Sequence, residues 1–436
     1  MSEKHEKMAG MVPAERREFL RKAGLGLAAV SAASLTAGCA SGGLTAAETK
    51  ARVVVVGGGW GGTSIARALL EEKAGIAVTM IEANPRFMSC PLSAHYIAGY
   101  QVEADYQFGY ERLERLGVRR IAGRVDDIDR GGKAVVLSDG RRVPYDFLVL
   151  SPGIEYMEET VAGYAEARAI APVGFRAFEQ AAVKKQFDDF LARGGEFVVT
   201  VPKPPYRCPP APHERAMLMA ELIQKRKVKG KVFVLDANAA PVPAAIAPPI
   251  MQAYRERYRD VLEYVPLAEL EGIEPGKRVM KTSVGDFDFT AANPVLPMRA
   301  PALIRKAGLG QRWAAIKLPS FQSTVDENVY VIGDAAGVPL PKSGHLAFET
   351  GVRVAAQIAM RVRGQTIAQP SGTIALPSAI CWGFVSHAEA FAIKVTAEME
   401  AGKPPALKFK VDQRGNPVAA RGASEWADGL WNAMLG

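Results

Sequence analysis

The sequence predicts an α/β protein with two dinucleotide-binding domains, because a buried strand, a glycine-rich turn, a helix and a second strand follow one another. Residues 52–56 read Arg-Val-Val-Val-Val, which is typical of a fully buried parallel strand. Residues 63–73 are predicted to be helical, and a second strand over 77–81 ends at Glu82. Between the first strand and the helix, the spacing GxGxxG falls on Gly57, Gly59 and Gly62.

Each residue of this motif has a physical role toward a dinucleotide. The first glycine makes the tight turn, the second admits the pyrophosphate against backbone amides, and the third lets helix and strand pack closely. The helix N-terminus then faces the phosphates. Glu82 is predicted to accept hydrogen bonds from the ribose hydroxyls, and Trp60, inside the motif, is assigned to the same cofactor site.

Two further segments decide between FAD and NAD. Residues 328–332 form another buried strand that ends in Gly333 and Asp334. In flavoproteins with two dinucleotide domains this strand returns beside the first strand, and its Asp holds the ribityl chain of FAD. Residues 145–150 form a strand that leads to Gly153, which is how the same domain closes. Three such segments in this order predict FAD.

The middle of the chain predicts a second Rossmann-like domain without NAD. A strand over 195–201 is followed by a loop with prolines at 202, 204, 205, 209 and 210, where a nicotinamide-binding domain has glycines. Proline removes the amide donors that a pyrophosphate needs. The next strand, 231–236, is present, so this domain is predicted to fold. An NAD-dependent reductase is therefore disfavoured.

The predicted fold class is α/β, with two Rossmann-like domains as in glutathione reductase and a C-terminal interface domain. The predicted parts are a signal segment (1–39), a discontinuous FAD domain (50–160 and 295–365), the second Rossmann-like domain (161–294) and the C-terminal domain (366–436). A chain of 436 residues, 48% hydrophobic and with four cysteines, excludes a disulfide-stapled mini-protein and a disordered tail. The net charge of +8 is too weak and scattered to indicate nucleic acid, and no metal site is predicted.

The first 39 residues are predicted to be an export signal. Arg16 and Arg17 form a twin-arginine pattern, and the apolar stretch 23–38 that follows is too short for a comfortable membrane span. Twin-arginine export carries proteins already folded around a cofactor. Cys39 ends a stretch that is similar to a lipoprotein box, with Thr36 where Leu is usual. The mature protein is expected to be periplasmic, with lipid anchoring at Cys39 as an alternative and no transmembrane segment.

Three cysteines remain in the expected mature chain, and each belongs to a segment that borders the flavin in this fold. Cys90 follows the second strand, Cys208 lies in the proline loop, and Cys381 lies beyond the helix after Asp334. One interpretation is a stabilising disulfide between Cys208 and Cys381 with an inert Cys90. The other is redox chemistry at the flavin, and the residues alone leave both open.

At this point the sequence resembles the flavoprotein subunit of flavocytochrome c sulfide dehydrogenase, over residues 51–436. The matching segments are VVVVGGGWGGT from Val53, SCPLS from Ser89, SPGIEY from Ser151, PPYRCPPAPHERA from Pro204, NVYVIGDAAGVPLPKSG from Asn328 and EWADGLWNAMLG from Glu425. The resemblance implies that Cys90 bonds to FAD and that Cys208 and Cys381 form a redox-active disulfide on the flavin face. It also adds Val125 and Lys342 to the FAD site.

The resemblance implies oxidation of sulfide to zero-valent sulfur or polysulfide. Hydrosulfide attacks the disulfide, FAD collects two electrons, and a c-type cytochrome subunit accepts them. Arg207, Lys342 and His345 are candidates to stabilise a thiolate. Glu214 is a predicted catalytic proton carrier, with an exposed helix acid as the alternative, and His213 is a weaker candidate. Arg215 is interpreted as a structural ion-pair partner.

The partner and its rivals follow from what this sequence contains. It has no CxxCH motif, so haem must arrive on a partner subunit. Trp426 and Trp431 are predicted to lie near the flavin, to line the partner interface or simply to pack on the core. A sulfide:quinone oxidoreductase is the first rival, disfavoured because residues 401–436 show no long apolar face. A non-catalytic flavin-binding partner of a cytochrome is the second.

Overall fold

The computed structural model describes residues 48–366 and 372–436, and its strands fall into parallel and antiparallel sheets. The predicted signal segment and Cys39 lie outside the described residues. The strands are β1 (Ala51–Val56), β2 (Ile76–Glu82), β3 (Phe87–Met88), β4 (Gln107–Phe108), β5 (Arg119–Ala122), β6 (Val125–Asp129), β7 (Ala134–Leu137), β8 (Arg142–Pro144), β9 (Phe147–Leu150), β10 (Glu155–Tyr156), β11 (Gly195–Val201), β12 (Gly230–Asp236), β13 (Leu262–Pro266), β14 (Leu270–Glu274), β15 (Val279–Thr282), β16 (Gly285–Asp288), β17 (Ala291–Asn293), β18 (Met298–Arg299), β19 (Ile316–Lys317), β20 (Gln322–Ser323), β21 (Val329–Val331), β22 (Ile374–Ala375), β23 (Ala379–Ser386), β24 (Glu389–Met399) and β25 (Ala406–Val411).

The helices connect and cover these sheets. They are α1 (Trp60–Glu71), α2 (Ser93–Ile97), α3 (Glu111–Arg115), α4 (Tyr164–Ala167), α5 (Gln180–Arg193), α6 (Ala211–Arg226), α7 (Ala247–Glu256), α8 (Ala302–Lys306), α9 (Gly344–Val362) and α10 (Pro417–Met434). Single 3-10 turns lie at Glu103–Tyr106, Glu158–Thr160, Ala244–Ile246 and Gly333–Ala335. Within the described residues, no helix is long and apolar enough to cross a bilayer.

A seven-stranded sheet in the order β19-β20-β21-β9-β1-β2-β5 is built from two distant parts of the chain. β1 pairs in parallel with β2 and with β9, and its inward residues are fully buried, as the β-branched run predicts. The expectation that the strand before Gly333 lies directly beside β1 is wrong. β21 pairs in parallel with β9, which separates it from β1, so residues 148–150 form the central link.

The second sheet has the order β13-β12-β11-β17 and all its strands are parallel. β11 spans the predicted residues 195–201, and α6 packs against β11 and β12. The mixed α/β fold class with Rossmann-like sheets is therefore confirmed. Residues Ser41–Gly436 form one compact unit, so the boundaries between the predicted domains stay predictions.

The C-terminal residues form an antiparallel sheet covered by α10. β24 pairs with β22, β23 and β25, and α10 packs against β24 and α1. The expectation that the tail has no long apolar face is wrong, because one face of α10 is apolar and buried in the protein's own core. Its buried residues are Ala419, Ala420, Ala423, Ala427, Leu430, Trp431 and Met434.

Candidate functional site

The glycine motif forms a turn in which two positions are closed by protein atoms and one is open. A Cβ atom on Gly62 would lie 1.7 Å from the carbonyl oxygen of Gly57, and one on Gly57 (φ +99°) would lie 2.3 Å from that of Ser151. A Cβ on Gly59 would meet nothing within 4 Å. The helix α1 begins at once with Trp60, so its N-terminus faces this open space. The open second position fits a pyrophosphate.

Two alanine variants should separate packing from cofactor binding at this turn. Gly62→Ala is expected to destabilise the fold by about 3 kcal/mol, since its methyl group collides with backbone. Gly59→Ala is expected to keep the wild-type unfolding free energy and to lose bound flavin, because the methyl group fills only the open space. Urea unfolding and flavin content after gel filtration check both results. Equal flavin content in Gly59→Ala and wild type would contradict the assignment.

The Glu82 carboxylate lies at the end of β2, beside the turn. Its Oε2 accepts a hydrogen bond from the amide of Gly58 at 2.5 Å, and its Oε1 accepts from the amide and side chain of Asn84 at 2.6 and 2.7 Å. The Tyr110 hydroxyl donates to the Gly58 carbonyl at 3.1 Å. These contacts orient the carboxylate toward the edge where the turn opens. Its role toward ribose stays a prediction.

The other predicted cofactor residues are Val125, Gly153, Gly333, Asp334 and Lys342. Gly153 has φ +76° and no atom within 4 Å of its Cβ position, whereas Val125 is buried at the start of β6. Gly333 and Asp334 open a 3-10 turn directly after β21. The Nζ atom of Lys342 donates to the carbonyls of Asp334 at 2.7 Å and of Ala336 at 2.9 Å.

Lys342 is held in place by its aromatic neighbour and its burial. Its Nζ lies 3.7 Å from the ring centroid of Trp313, and the side chain is almost fully buried. Burial lowers the pKa of Lys342 to about 8, although the charge of Asp334 opposes the shift. The lysine therefore loses part of its charge in mildly alkaline solution.

Arg207 interacts both with Asp334, a predicted FAD-binding residue, and with the cysteines. Its Nε lies 3.1 Å from Oδ2 of Asp334, and its Nη1 donates to the carbonyl of Phe175 at 2.7 Å. The guanidinium interacts electrostatically with Cys90 and Cys208. It is the cation best placed to stabilise a thiolate here, as expected for a reactive cysteine.

The structure brings Cys208 and Cys381 close enough together for their thiols to interact electrostatically. Cys208 lies in the loop after β11 with φ +53°, and its amide donates to the carbonyl of Lys342 at 3.0 Å. Cys381 lies on β23. Both are free thiols, as is Cys90, whose sulfur accepts a hydrogen bond from Gln180 Nε2 at 3.5 Å. The pairing of Cys208 with Cys381 in a disulfide stays a prediction.

The surroundings of both thiols favour their protonated form, although each residue keeps part of its surface exposed. Burial raises the pKa of Cys208 well above its usual range, and its neighbours Cys381 and Glu214 raise it further. Burial also raises the pKa of Cys381 to about 12, against a hydrogen bond with Ser343 that lowers it. A thiolate formed here is therefore a high-energy species, which makes it a strong reductant or nucleophile.

Glu214 is buried beside both cysteines, so the alternative of an exposed helix acid is wrong. It lies in the first turn of α6 and is only 9% exposed. Its Oε1 accepts a hydrogen bond from the amide of Phe384 at 3.2 Å. Burial raises the pKa of Glu214 to about 7. A carboxyl group with this pKa exchanges its proton at neutral pH, as a general acid or base requires.

The two neighbours of Glu214 along α6 take other roles. His213 is fully buried, its Nδ1 lies 2.9 Å from the Tyr254 hydroxyl, and burial lowers its pKa to about 3. It stays neutral and is not a proton carrier at neutral pH. The ion pair expected for Arg215 is wrong. Its guanidinium instead donates to the carbonyls of Val173 and Gly174 and to Oδ1 of Asn293, at 2.6–2.8 Å.

The proline loop lies at the carboxyl edge of the second Rossmann-like sheet, beside a cavity lined by Thr200, Pro202 and Lys203. The loop after β11 contains a cis peptide bond at Pro204–Pro205, and α6 begins with prolines and a buried first turn. The acid at the end of β12, Asp236, is fully buried and accepts hydrogen bonds from Asn238 and Tyr264. This acid is therefore bonded to its own protein neighbours, and the absence of NAD from this edge stays a prediction.

Three tryptophans from distant segments lie together, two of them stacked and the third tilted, an arrangement that the sequence analysis missed. Trp60 lies parallel to Trp426 at 5.6 Å and 10°, and Trp382 lies 4.9 Å from Trp426. The indole Nε1 of Trp426 donates to Nδ1 of His345 at 3.1 Å. Trp431 instead packs in the core against Tyr106, as the structural alternative for one of the two C-terminal tryptophans states. No local pattern indicates such an arrangement.

Fold and site together define a protein with Rossmann-like sheets in which two cysteines lie beside the predicted FAD-binding residues. Two family profiles match, "Pyridine nucleotide-disulphide oxidoreductase" over residues 51–181 and "Sulfide dehydrogenase [flavocytochrome c] flavoprotein chain, central" over residues 180–297. The two profiles lie side by side over residues 51–297, so this part of the chain is similar to FAD-dependent disulfide oxidoreductases and to sulfide-processing flavoproteins.

Individual proteins similar to this chain include sulfide:quinone oxidoreductases and a sulfide dehydrogenase flavoprotein chain. The mitochondrial sulfide:quinone oxidoreductase of Mus musculus is 22% identical over 319 residues, which cover 70% of each chain. The sulfide dehydrogenase [flavocytochrome c] flavoprotein chain of Chlorobaculum thiosulfatiphilum is 50% identical over 42 residues, 10% of this chain and 88% of that relative. The crystal structure of the sulfide:quinone oxidoreductase from Aquifex aeolicus has a TM-score of 0.74 at 19% identity, covering 88% of this chain and 91% of that one.

Proposed function

We propose that this protein oxidises sulfide to zero-valent sulfur or polysulfide through a Cys208–Cys381 disulfide and passes the electrons from FAD to a c-type cytochrome. One observation carries the proposal: the two cysteines meet around the buried Glu214, next to the FAD elements. The prolines of the loop after β11 remove amide donors that a pyrophosphate needs, and this disfavours NAD as the alternative electron carrier. The similarity to sulfide-oxidising FAD proteins supports the proposal.

The proposed reaction proceeds in steps at the Cys208–Cys381 disulfide. Hydrosulfide attacks one sulfur of the disulfide, the S–S bond breaks, and the products are a cysteine persulfide and a cysteine thiolate. A second hydrosulfide takes the outer sulfur as disulfane, which leaves two thiolates. Arg207 stabilises the negative charge of Cys208, and Glu214 receives or returns protons at neutral pH.

A bound FAD would supply the two-electron oxidation that turns the two thiolates back into the disulfide, and the release of single electrons to an acceptor. The residues that would hold it are Gly57, Gly59, Trp60, Gly62, Glu82, Val125, Gly153, Gly333, Asp334 and Lys342. The open space at Gly59 and the oriented carboxylate of Glu82 fit this cofactor.

We also propose that Cys90 bonds covalently to FAD, as the resemblance implies. The helix α2 that follows Cys90 packs against α5, Gln180 of α5 donates to the Cys90 sulfur, and Arg207 interacts electrostatically with it. Wild-type protein is expected to retain flavin after acid precipitation, whereas Cys90→Ala is expected to release it. Cys208→Ser is the matched control and should retain flavin like wild type. Flavin release from the wild-type chain would contradict the thioether.

The acceptor has two candidates. The family match over residues 180–297 and the Chlorobaculum relative support a cytochrome subunit. The mouse and Aquifex relatives are named for quinone, which supports a quinone equally. The apolar face of α10 packs on the core and is not free for a membrane, and this favours the cytochrome.

Anaerobic mixing with sulfide tests the proposal and separates the acceptors. We expect rapid flavin bleaching, followed by reoxidation by a soluble c-type ferricytochrome and slow reoxidation by a water-soluble ubiquinone analogue. Fast reoxidation by the quinone, without reoxidation by the cytochrome, would show that the acceptor is a quinone. Absence of bleaching with flavin bound would overturn sulfide as the donor. Export to the periplasm remains part of the proposal and rests on residues 1–39 of the sequence.

A further inference from the structure

Two glutamate side chains of the helix α6 accept hydrogen bonds from backbone amides in and directly after the strand β23. Oε1 of Glu214 accepts a hydrogen bond from the amide of Phe384 at 3.2 Å. Oε2 of Glu221 accepts one from the amide of His387, directly after β23, at 2.8 Å. The two elements pack against each other along this line, and Cys208 precedes α6 while Cys381 precedes Phe384 on β23.

The two contacts have matched spacing. Glu214 and Glu221 are seven residues apart, which is a rise of about 10.5 Å in an α-helix. Phe384 and His387 are three residues apart, which spans at most about 10 Å, and the irregular strand pairing between Phe384 and Ser386 lies within this span. Helix and strand therefore run in the same direction and in register. Because each cysteine lies before its first contact residue, this register brings Cys208 and Cys381 to the same end.

Glu221 is the one of these two carboxylates that keeps its charge at neutral pH. It is 7% exposed, and the ring Nδ1 of His387 lies 2.7 Å from its Oε1, with Nζ of Lys225 at 3.0 Å. Burial alone would raise the pKa of Glu221, but the hydrogen bonds from His387 and Lys225 outweigh it and hold the pKa below its usual range. Unlike Glu214, it therefore stays ionised at neutral pH.

The third cysteine-bearing segment reaches the same point. The hydroxyl of Tyr100, ten residues after Cys90, donates to Oε2 of Glu221 at 3.1 Å, and its ring stacks on His387 at 4.7 Å and 18°. Nε2 of His95 lies 3.0 Å from the carbonyl oxygen of His387. One carboxylate thus connects the segments that carry all three described cysteines.

We propose that Glu221 and His387 are positioning residues for the cysteine pair: they fix the register of β23 on α6 and thereby the distance between the sulfurs of Cys208 and Cys381. A disulfide forms without strain only when the Cβ atoms lie about 3.5–4.5 Å apart, so a small slip of β23 disfavours it. The inference rests on the proposed function in that the disulfide is the oxidised form of the site.

The test measures the disulfide itself, without turnover. Purified flavoprotein is equilibrated with mixtures of reduced and oxidised dithiothreitol, in which two cysteine thiols and one cyclic dithiothreitol disulfide exchange to one protein disulfide and one dithiol. Thiol alkylation and peptide mass spectrometry then quantify the Cys208–Cys381 bond. Glu221→Ala is expected to lower the equilibrium constant for its formation on the order of tenfold, about 30 mV for this two-electron couple.

Matched variants distinguish positioning from general loosening. Glu221→Gln keeps an oxygen for the His387 amide and is expected to recover most of the constant. Gln224→Ala is the control on the same helix, since its side chain donates to the Arg257 carbonyl and not to β23. His387→Ala, which removes only the ring contact, should lower the constant as well and serves if Glu221→Ala does not fold.

Three results would overturn the inference. They are an unchanged constant in Glu221→Ala and His387→Ala, an equal decrease in Gln224→Ala, and no recovery in Glu221→Gln. A wild-type chain that forms no Cys208–Cys381 bond at any dithiothreitol ratio would instead refute the proposed function, and this inference with it.

Discussion

Replacing Cys208 with serine is expected to slow sulfide-dependent flavin reduction by on the order of a thousandfold. The hydroxyl cannot form a disulfide with Cys381, so hydrosulfide has no sulfur to attack and no persulfide forms. Stopped-flow mixing with sulfide under anaerobic conditions measures the rate. Serine is close in size to cysteine, so the partly buried loop position should keep its fold.

The control for this variant is reduction by dithionite, which needs no cysteine and should bleach the flavin equally in variant and wild type. Cys381→Ser provides the matched partner and is expected to lose the same activity, because either thiol alone leaves the pair incomplete. Bleaching by sulfide at the wild-type rate in both variants would show that sulfide reaches the flavin by another route.

Glu214→Gln is expected to remove a pH dependence from both stability and activity. The carboxyl group has a folded pKa of about 7, raised by burial above its ordinary value of 4.5. Its contribution to stability is therefore full below pH 4.5 and is lost as the pH rises through 7. A shift of this size corresponds to roughly 3 kcal/mol between pH 4.5 and pH 8.

The measurement is urea unfolding of wild type and variant at pH 5 and pH 8. The variant should gain stability relative to wild type only at pH 8, and its rate of flavin reduction should lose the inflection near pH 7. Glu166→Gln is the control, because Glu166 is an exposed glutamate on α4. A wild type whose stability relative to Glu214→Gln is the same at both pH values would contradict the raised pKa.

The FAD-binding turn was predictable because its physics is local. Strand, glycines, helix and acid follow each other within 31 residues, 52–82, and the structure has each of them in that order. The helix start was placed three residues late, since Trp60 and two glycines are poor helix formers that the N-terminus tolerates. The order of the sheet was less accessible, because pairing β21 with β9 joins residues almost two hundred positions apart.

The environment of the cysteines was accessible only in part. The resemblance grouped Cys208 with Cys381, but no pattern indicates that Glu214 is buried or that carbonyl groups satisfy Arg215. The contacts of Glu221 with His387 and Tyr100 join segments more than 100 residues apart. Such contacts depend on the packing of three elements, and the polar residues involved read as ordinary surface positions in the sequence.

The loop after β11 has a mechanical consequence for Cys208. The amide of Cys208 donates to the carbonyl of Lys342, and the Nζ atom of the same lysine donates to the carbonyls of Asp334 and Ala336. One residue thus connects the backbone at this thiol with the turn that follows β21. A displacement of either segment is therefore transmitted to the other through Lys342.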